Sequence, residues 1–162
     1  MEGLKDIQII VSEVDGILNT GLFPVDELGN VPFKFFYNKD FEAINLLKKC
    51  FKMVFISTDN KINFNMFRNK NIPFYHEPKN KQQALLAALK RYSLTPDQAI
   101  YIGSSYSDIE CMRQVPMSMC TEDAVPEIKS IASYKLPVYG GDGVLCTLYE
   151  LLKSEMRRRL SE

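Results

Sequence analysis

The stretch Ile9-Ile10-Val11-Ser12-Glu13-Val14-Asp15-Gly16 predicts the fold of this chain. Its apolar, β-branched first half is typical of a strand that is buried on both faces of a parallel sheet. Glu13 and Asp15 follow at a spacing of two, so both side chains leave the strand in the same direction. Open α/β sheets bind ligands at the carboxyl ends of their strands, so we expect two carboxylates at such a site. A strand that merely ends in an acidic turn is the alternative.

Length and composition indicate one ordinary globular domain, spanning 1–162. Of the 162 residues 46% are apolar and 25% charged, which is enough to bury a full hydrophobic core. The 20 basic and 20 acidic residues balance, which favours neither nucleic acid nor an anionic membrane as partner. No apolar run reaches membrane-spanning length and the N-terminus lacks a signal-peptide pattern, so we expect an intracellular protein.

The cysteines and the single histidine argue against several kinds of site. Cys50, Cys111, Cys120 and Cys146 form no C-x-x-C pair, which indicates free thiols in a reducing compartment. His76 is the only histidine, so a His-based metal site or a Ser-His-Asp triad would be hard to assemble. We interpret His76 as structural.

Strands alternate with helical patterns along the chain, which predicts βαβ units and a parallel sheet with helices on both faces. Buried strands near 7–11, 53–56 and 99–102 are expected at its centre. Three polar turns follow such strands and should share one edge of the sheet, together with Lys81 at the start of a helix. These turns are Glu13 to Asp15, Ser57 to Asn60 and Ser104 to Asp108.

A flap is predicted between the first strand and the first helix. Two apolar runs flank Gly29-Asn30, which indicates a β-hairpin over about 20–38. Asp40 is predicted to cap the helix that follows. The flap is too aromatic to lie wholly in water, so we expect it to pack against another subunit. Its aromatic residues are Phe23, Phe33, Phe35, Phe36 and Tyr37.

The residues at the predicted edge are those of a phosphoryl-transfer site. Such chemistry needs a carboxylate nucleophile, an acid–base carboxylate, and donors with a metal ion to neutralise phosphate charge. Short motifs then carry a resemblance over nearly the whole chain. They are Glu13-Val14-Asp15-Gly16, Asn38-Lys39-Asp40, Leu46-Leu47-Lys48-Lys49, Ile56-Ser57, Lys81, Ile102-Gly103 with Asp108, and Gly140-Gly141-x-Gly143.

With these motifs the chain resembles the haloacid dehalogenase superfamily and, within it, the small 3-deoxy-manno-octulosonate 8-phosphate phosphatases. It is also similar to their relative, the C-terminal domain of animal CMP-sialic acid synthetase. The resemblance implies a three-layer, Rossmann-like α/β fold without a cap domain. It places Glu13, Asp15, Ser57 and Lys81 at catalytic positions. It places Glu13, Asp15, Ser104 and Asp108 at a Mg²⁺ site, to which Asp15 would contribute only its backbone carbonyl.

The resemblance also implies partners and a location. We expect a homo-oligomer, a tetramer built through the flap, with an acidic sugar phosphate as ligand. A fused or associated cytidylyltransferase domain is a further expected partner. The location would be the cytoplasm, or the nucleus if the chain is part of an animal synthetase.

The chain departs from this family at the positions that matter for catalysis. Glu13 stands in place of an aspartate nucleophile, and a displacement of about 1 Å can cost about 100-fold in rate. Ser104 replaces a metal-ligating aspartate, and a hydroxyl is a poor substitute for a carboxylate on Mg²⁺. Asp59 and Asp142 stand where the phosphatases carry arginine. These changes leave Lys81 as the one evident cation for a phosphate.

We therefore expect a catalytically degenerate phosphatase-like domain that serves oligomerisation or regulation in sialic acid or octulosonate metabolism, with Mg²⁺ bound weakly or not at all. The alternative is an active Mg²⁺-dependent phosphatase acting on a 2-keto-3-deoxy sugar acid phosphate. There Asp15 would be the general acid–base, and Glu13 the nucleophile or a metal ligand. A third hypothesis is a phosphate sensor that keeps Lys81 and Ser57.

Purely structural roles are open for the same residues. Asp15 could bond the flap amides, and Ser57 could close its turn. Asp108 could cap its helix. Lys81 could pair with Glu13 or with Asp108.

Overall fold

A computed structural model describes residues 3–77 and 79–161. Its one sheet has six parallel strands in the order β3-β2-β1-β4-β5-β6. The prediction of a parallel sheet with the first, second and fourth strands in its interior is confirmed, although the first strand lies two residues later than 7–11. The strands are β1 (Ile9–Glu13), β2 (Lys52–Ser57), β3 (Phe74–His76), β4 (Ala99–Ile102), β5 (Met117–Cys120) and β6 (Tyr134–Lys135).

Helices cover both faces of the sheet, as predicted. One face carries α1 (Asn38–Leu47), α2 (Ile62–Asn69) and α6 (Val144–Ser161); the other carries α3 (Lys81–Arg91), α4 (Ile109–Gln114) and α5 (Pro126–Ile131). Successive strand residues point to opposite faces, so Ile10 packs with the first group of helices and Val11 with the second. Both faces of β1 are therefore apolar, which is why its sequence does not alternate. The result is a three-layer α/β fold.

The flap, residues 20–37, is an irregular loop, so the prediction of a β-hairpin over 20–38 is wrong. Within it, the Gly29 N–H donates to the Asp26 carbonyl at 3.0 Å, and the Asp26 N–H donates to the Asn30 carbonyl at 2.9 Å. None of its described residues belongs to a strand. A two-stranded hairpin alone is marginally stable in water. Here the flap contacts the body of the domain instead, for example where the Phe36 ring lies 6.2 Å from that of Phe41.

Asp40 caps a different helix from the one predicted. It lies in the first turn of α1, whose N-cap is Tyr37. Its Oδ1 accepts hydrogen bonds from the N–H groups of Leu145 and Cys146, at 2.9 Å and 3.0 Å. Asp40 thereby satisfies the first turn of α6 and joins two helices that are adjacent on one face of the sheet.

All four cysteines are free thiols, and Cys111 and Cys120 are buried. In the described part of the chain no helix is both long enough and apolar enough to cross a membrane.

Candidate active site

The carboxyl ends of β1, β2 and β4 open into a cavity of about 400 Å³. Asp108 lies behind its wall and is completely buried. Asp59 and Asp142 do not line the cavity, whereas the unpredicted Asp123 does. The parallel sheet thus brings most of the predicted site residues together at one edge, as the sequence indicated. Those that line the cavity are Glu13, Asp15, Ser57, Lys81 and Ser104.

The glycine motif near the C-terminus packs against the turn that follows β1. A Cβ atom on Gly140 would lie 2.0 Å from the carbonyl oxygen of Gly16, so only glycine permits this approach. The Gly141 N–H also donates to the Ile17 carbonyl at 2.9 Å, and its φ of +79° lies in the left-handed region. The motif therefore fixes the turn that follows Glu13 and Asp15.

The first of two charge clusters in the site, the inner cluster, consists of Glu13, Lys81 and Asp108. Lys81 is the first residue of α3, and its Nζ donates to Glu13 Oε1 at 2.5 Å and to Asp108 Oδ1 at 2.9 Å. The side chains of Lys81, Glu13 and Asp108 are 3%, 7% and 0% exposed, respectively. The Tyr101 hydroxyl donates to the same Asp108 oxygen at 2.8 Å. One ammonium group therefore holds two buried carboxyl groups together.

Two serines complete the shell around Glu13. Ser104 donates to Glu13 Oε2 from its N–H at 3.2 Å and from its Oγ at 2.8 Å. The Ser105 Oγ lies 2.8 Å from Glu13 Oε1, on which Lys81 also converges. Each Glu13 oxygen thus has two donors within hydrogen-bond distance. The Glu13 side chain thus reaches the loop that follows β4, where Ser104 and Ser105 lie.

The inner cluster holds its two carboxyl groups in different protonation states. Burial first, and the charge of Asp108 second, raise the pKa of Glu13 to about 8, against the lowering effect of Lys81. Burial also opposes ionisation of Asp108, but Lys81 prevails and lowers the pKa of that carboxyl group. Of the two carboxyl groups, Glu13 is therefore the one that binds a proton more readily. A protonated carboxyl group is a poor nucleophile and a poor metal ligand.

The outer cluster consists of Asp15, Lys34, Asp59 and Asn63. Lys34 comes from the flap, and its side chain is only 3% exposed. Its Nζ lies 3.0 Å from Asp15 Oδ2, 2.6 Å from Asp59 Oδ2 and 3.2 Å from Asn63 Oδ1. Asn63 in turn donates to Asp15 Oδ2 at 3.0 Å and to the Ser57 Oγ at 2.9 Å. The flap thus supplies the counter-charge for the predicted acid–base residue.

The expectation that Lys81 is the only cation at this edge is wrong, because Lys34 is a second one. Lys34 is far from Asp15 in the chain and belongs to no motif, so its place depends on the path of the flap. The sequence contains one indication of it: more carboxylates are predicted at the carboxyl edge of the sheet than Lys81 can neutralise, so another cation is needed there. Burial raises and the hydrogen bond from Lys34 lowers the pKa of Asp59; the net shift is downward.

The structural roles considered for these residues are met in part. Asp15 bonds side chains rather than flap amides, with the Asn19 Nδ2 at 2.8 Å. The Ser57 Oγ closes its turn by accepting from the Asp59 N–H at 3.1 Å. Asp108 Oδ2 accepts from the N–H groups of Ser104 and Ser105, each at 3.1 Å, ahead of α4. Lys81 pairs with both of its candidate partners.

The donor set does not fit a Mg²⁺ ion in this arrangement. Magnesium takes oxygen ligands in octahedral geometry, and its protein ligands are usually one or two ionised carboxylates. Here both Glu13 oxygens already accept from Lys81 or the serines, and Asp108 is enclosed by Lys81 and Tyr101. In residues 3–77 and 79–161, no three His, Cys, Asp or Glu side chains are grouped so as to hold a metal ion. Ser104 offers a hydroxyl that donates to Glu13.

Comparisons with known proteins point to one group. The chain is 25% identical over 155 residues to 3-deoxy-D-manno-octulosonate 8-phosphate phosphatase KdsC from Salmonella typhi, with 94% of this chain and 82% of that protein aligned. The cobalt-bound deoxy-D-mannose-octulosonate 8-phosphate phosphatase YrbI of Haemophilus influenzae superposes with a TM-score of 0.86 at 24% identity, over 95% of this chain and 92% of that one.

A third relative is the 3-deoxy-D-manno-octulosonate 8-phosphate phosphatase of Moraxella catarrhalis, in complex with magnesium, phosphate and KDO. It superposes with a TM-score of 0.85 at 20% identity, covering 99% of this chain and 95% of that one. These two structural likenesses show the fold, and both of those proteins bind a metal ion.

The family model for haloacid dehalogenase-like hydrolases matches residues 24–148. The match begins after Glu13 and Asp15, so it is carried by the rest of the domain rather than by the altered carboxylate motif. It covers most of the chain, including Lys81, Ser104 and Asp108. The chain therefore belongs to the haloacid dehalogenase-like hydrolase family.

Proposed function

We propose that this chain is a sugar-phosphate phosphatase-like domain that has lost efficient hydrolysis and serves oligomerisation or regulation in acidic-sugar metabolism. The observation that carries the proposal is the state of Glu13. Both of its oxygens face donors from Lys81, Ser104 and Ser105, and burial beside Asp108 raises its pKa to about 8. A carboxyl group whose oxygens are both engaged by donors, and whose ionisation is opposed by burial, is a poor nucleophile.

The active phosphatase is the second candidate, and the comparisons favour it. The curated relatives that align with the chain are named 3-deoxy-D-manno-octulosonate 8-phosphate phosphatases. On this candidate, the substrate is a 2-keto-3-deoxy sugar acid phosphate, Asp15 is the general acid–base, and Mg²⁺ would have to displace the donors around Glu13. The phosphate sensor is less well supported, because Lys81 is already bound to two carboxyl groups.

A Mg²⁺-dependent phosphate-release assay separates the two candidates. The substrates are 3-deoxy-manno-octulosonate 8-phosphate and a panel of other sugar phosphates, with a chelator as the blank. We expect turnover far below about 1 s⁻¹, a rate ordinary for enzymes. Chelator-sensitive turnover at or above that rate on any member of the panel would establish the active phosphatase and contradict the loss of hydrolysis.

We further propose that the flap mediates a homo-oligomer, a tetramer by resemblance to the family, which could associate with a cytidylyltransferase domain in sialic acid or octulosonate metabolism. Leu22, Leu28 and Phe35 of the flap are 84%, 80% and 79% exposed, which is unusual for large apolar side chains in a monomer. A stable contact through them should bury more than about 1,000 Å².

Light scattering at micromolar concentration tests this assembly. We expect an oligomer that the double variant Leu28→Asp/Phe35→Asp converts to monomer. Leu86→Asp is the matched control, because Leu86 is an exposed apolar residue of α3, outside the flap, and is 43% exposed. A monomeric unmodified protein, or equal dissociation by the control, would contradict the proposal.

A further inference from the structure

We propose that a groove at the amino edge of the sheet, opposite the candidate active site, binds a small phosphate ester with a flat apolar body. The groove has a volume of about 570 Å³, within the range of about 300–1,000 Å³ typical of small-molecule sites. Four cations line it: Lys48, Lys52, Arg68 and Arg91. No acidic residue is among the residues that line it.

The four cations have no acidic partners within the described chain. None of them takes part in the ion pairs formed by residues 3–77 and 79–161. Lys52 Nζ and Arg91 Cζ instead lie near the Tyr92 ring, 5.8 Å and 5.9 Å from its centre. Four unpaired positive charges around one opening call for a multivalent anion, and arginine matches the oxygen geometry of phosphate.

This positive charge does not come from a basic protein. The chain has 20 basic and 20 acidic residues in all, so the positive charge at the groove arises from where the cations lie and not from an overall excess of basic residues. The cavity at the carboxyl edge has a different character: Glu13, Asp15 and Asp123 line it, and its cations, Lys81 in the lining and Lys34 beside Asp15, are both paired with carboxylates. An anionic ligand would therefore be drawn to the amino edge rather than to the active-site edge.

Helix termini explain the cations only in part. Lys48 follows the end of α1, and Arg68 and Arg91 lie in the last turns of α2 and α3, where the helix dipole favours positive charge. Lys52 begins a strand and gains nothing from a helix dipole. A cation that only stabilises a helix end needs no open cavity beside it, so this role does not explain the groove.

The floor of the groove supplies the second part of the recognition. Phe51, Ile72 and Pro73 line it together with Tyr92, so a ligand that places phosphate among the cations would set its body against apolar and aromatic surface. Inorganic phosphate would use the rim alone. We therefore expect a phosphate ester of an aromatic or other flat apolar group to bind more tightly than phosphate itself.

Calorimetric titration of the full chain in chelator tests the proposal, with phenyl phosphate, inorganic phosphate and phenol as probes. We expect phenyl phosphate to bind at least tenfold more tightly than either of the others. Arg91→Glu should weaken phenyl phosphate binding at least tenfold. Lys90→Glu is the control, because Lys90 is exposed, precedes Arg91 in the same helix, lies outside the groove lining and changes the net charge equally.

Three outcomes would overturn the proposal. The first is the absence of measurable phenyl phosphate binding at millimolar concentration. The second is an equal effect of Arg91→Glu and Lys90→Glu in proteins that give the same circular dichroism spectrum, which would indicate a diffuse charge effect. The third is light scattering that shows an oligomer dissociated by Arg91→Glu but not by Lys90→Glu, which would make the groove a contact between copies of the chain.

Discussion

The inner and outer clusters each contain one lysine shared between two acidic residues, yet their surroundings differ. In the inner cluster, Lys81, Glu13 and Asp108 come from or adjoin regular elements and are at most 7% exposed. In the outer cluster, Lys34 comes from an irregular flap, and its partners Asp15 and Asp59 are 22% and 20% exposed. The inner cluster is thus part of the core, whereas the outer one lies nearer the surface, between the flap and the carboxyl edge of the sheet.

This difference shows how burial decides what a charge pair does. Inside the core, water cannot solvate a carboxylate that loses its partner, so the loss of that partner lowers the free energy of unfolding. At the flap, water can reach Asp15 and Asp59, so the loss of Lys34 is largely compensated by hydration. We therefore expect the inner cluster to contribute far more to stability than the outer cluster.

The largest effect should follow from Lys81→Met. The change leaves Glu13 and Asp108 buried side by side without a cation, which costs about 3–5 kcal/mol of the free energy of unfolding. Urea denaturation at neutral pH measures it. A loss below about 1 kcal/mol would mean that water enters the inner cluster, and the contrast between the clusters would then fail.

The stability of the metal-free protein should depend on pH through Glu13. Its pKa is about 8 in the folded protein and about 4.5 when solvated, so between these values the folded state retains a proton that the unfolded state has lost. Stability therefore falls as pH rises from about 4.5 to about 8. Asp108 and Lys81 have pKa values shifted below 3.8 and above 10.5, so both titrate outside this window.

Urea denaturation in chelator at pH 5.5 and pH 8.5 tests this dependence. We expect the unmodified protein to lose more than about 1 kcal/mol between the two conditions. The glutamine in Glu13→Gln cannot ionise, so this variant should lose less of its free energy of unfolding between the two pH values. The difference between the two losses gives the contribution of Glu13, without that of other groups such as Asp40. An equal loss in both would show that Glu13 is already ionised at neutral pH.

Much of the inner cluster could be predicted from the sequence, because parallel strands bring their carboxyl ends to one edge. The apolar run before Glu13 identified β1, and the same rule placed Lys81 and Ser104 beside it. The outer cluster could not be predicted, since Lys34 lies in a segment whose path depends on tertiary contacts. Asp40 illustrates the same limit: a carboxylate near two helix starts can cap either, and only the packing of α1 against α6 decides.

On the proposed loss of hydrolysis, aspartates at positions 13 and 104, which the resemblance implies for an active enzyme, should restore part of the activity. Glu13→Asp alone is expected to rescue little phosphatase activity, because Ser104 still offers no carboxylate. Glu13→Asp with Ser104→Asp should exceed the product of the single effects by about tenfold or more, since both groups would hold one ion. The readout is Mg²⁺-dependent phosphate release from 3-deoxy-manno-octulosonate 8-phosphate. Simple multiplicative effects would show that the two positions do not share an ion.

The smallest effect on stability should come from Lys34→Met. The methionine keeps an apolar stem near Phe23, whose ring centre lies 4.4 Å from the Lys34 Nζ, while Asp15 and Asp59 become hydrated. We expect a loss of about 1 kcal/mol or less by urea denaturation. Lys39→Met is the control, because Lys39 is exposed on α1 and forms no ion pair among the described residues. If Lys34→Met lowered the free energy of unfolding as much as Lys81→Met, water would not have compensated Asp15 and Asp59 for the lost lysine. The outer cluster would then behave as part of the core.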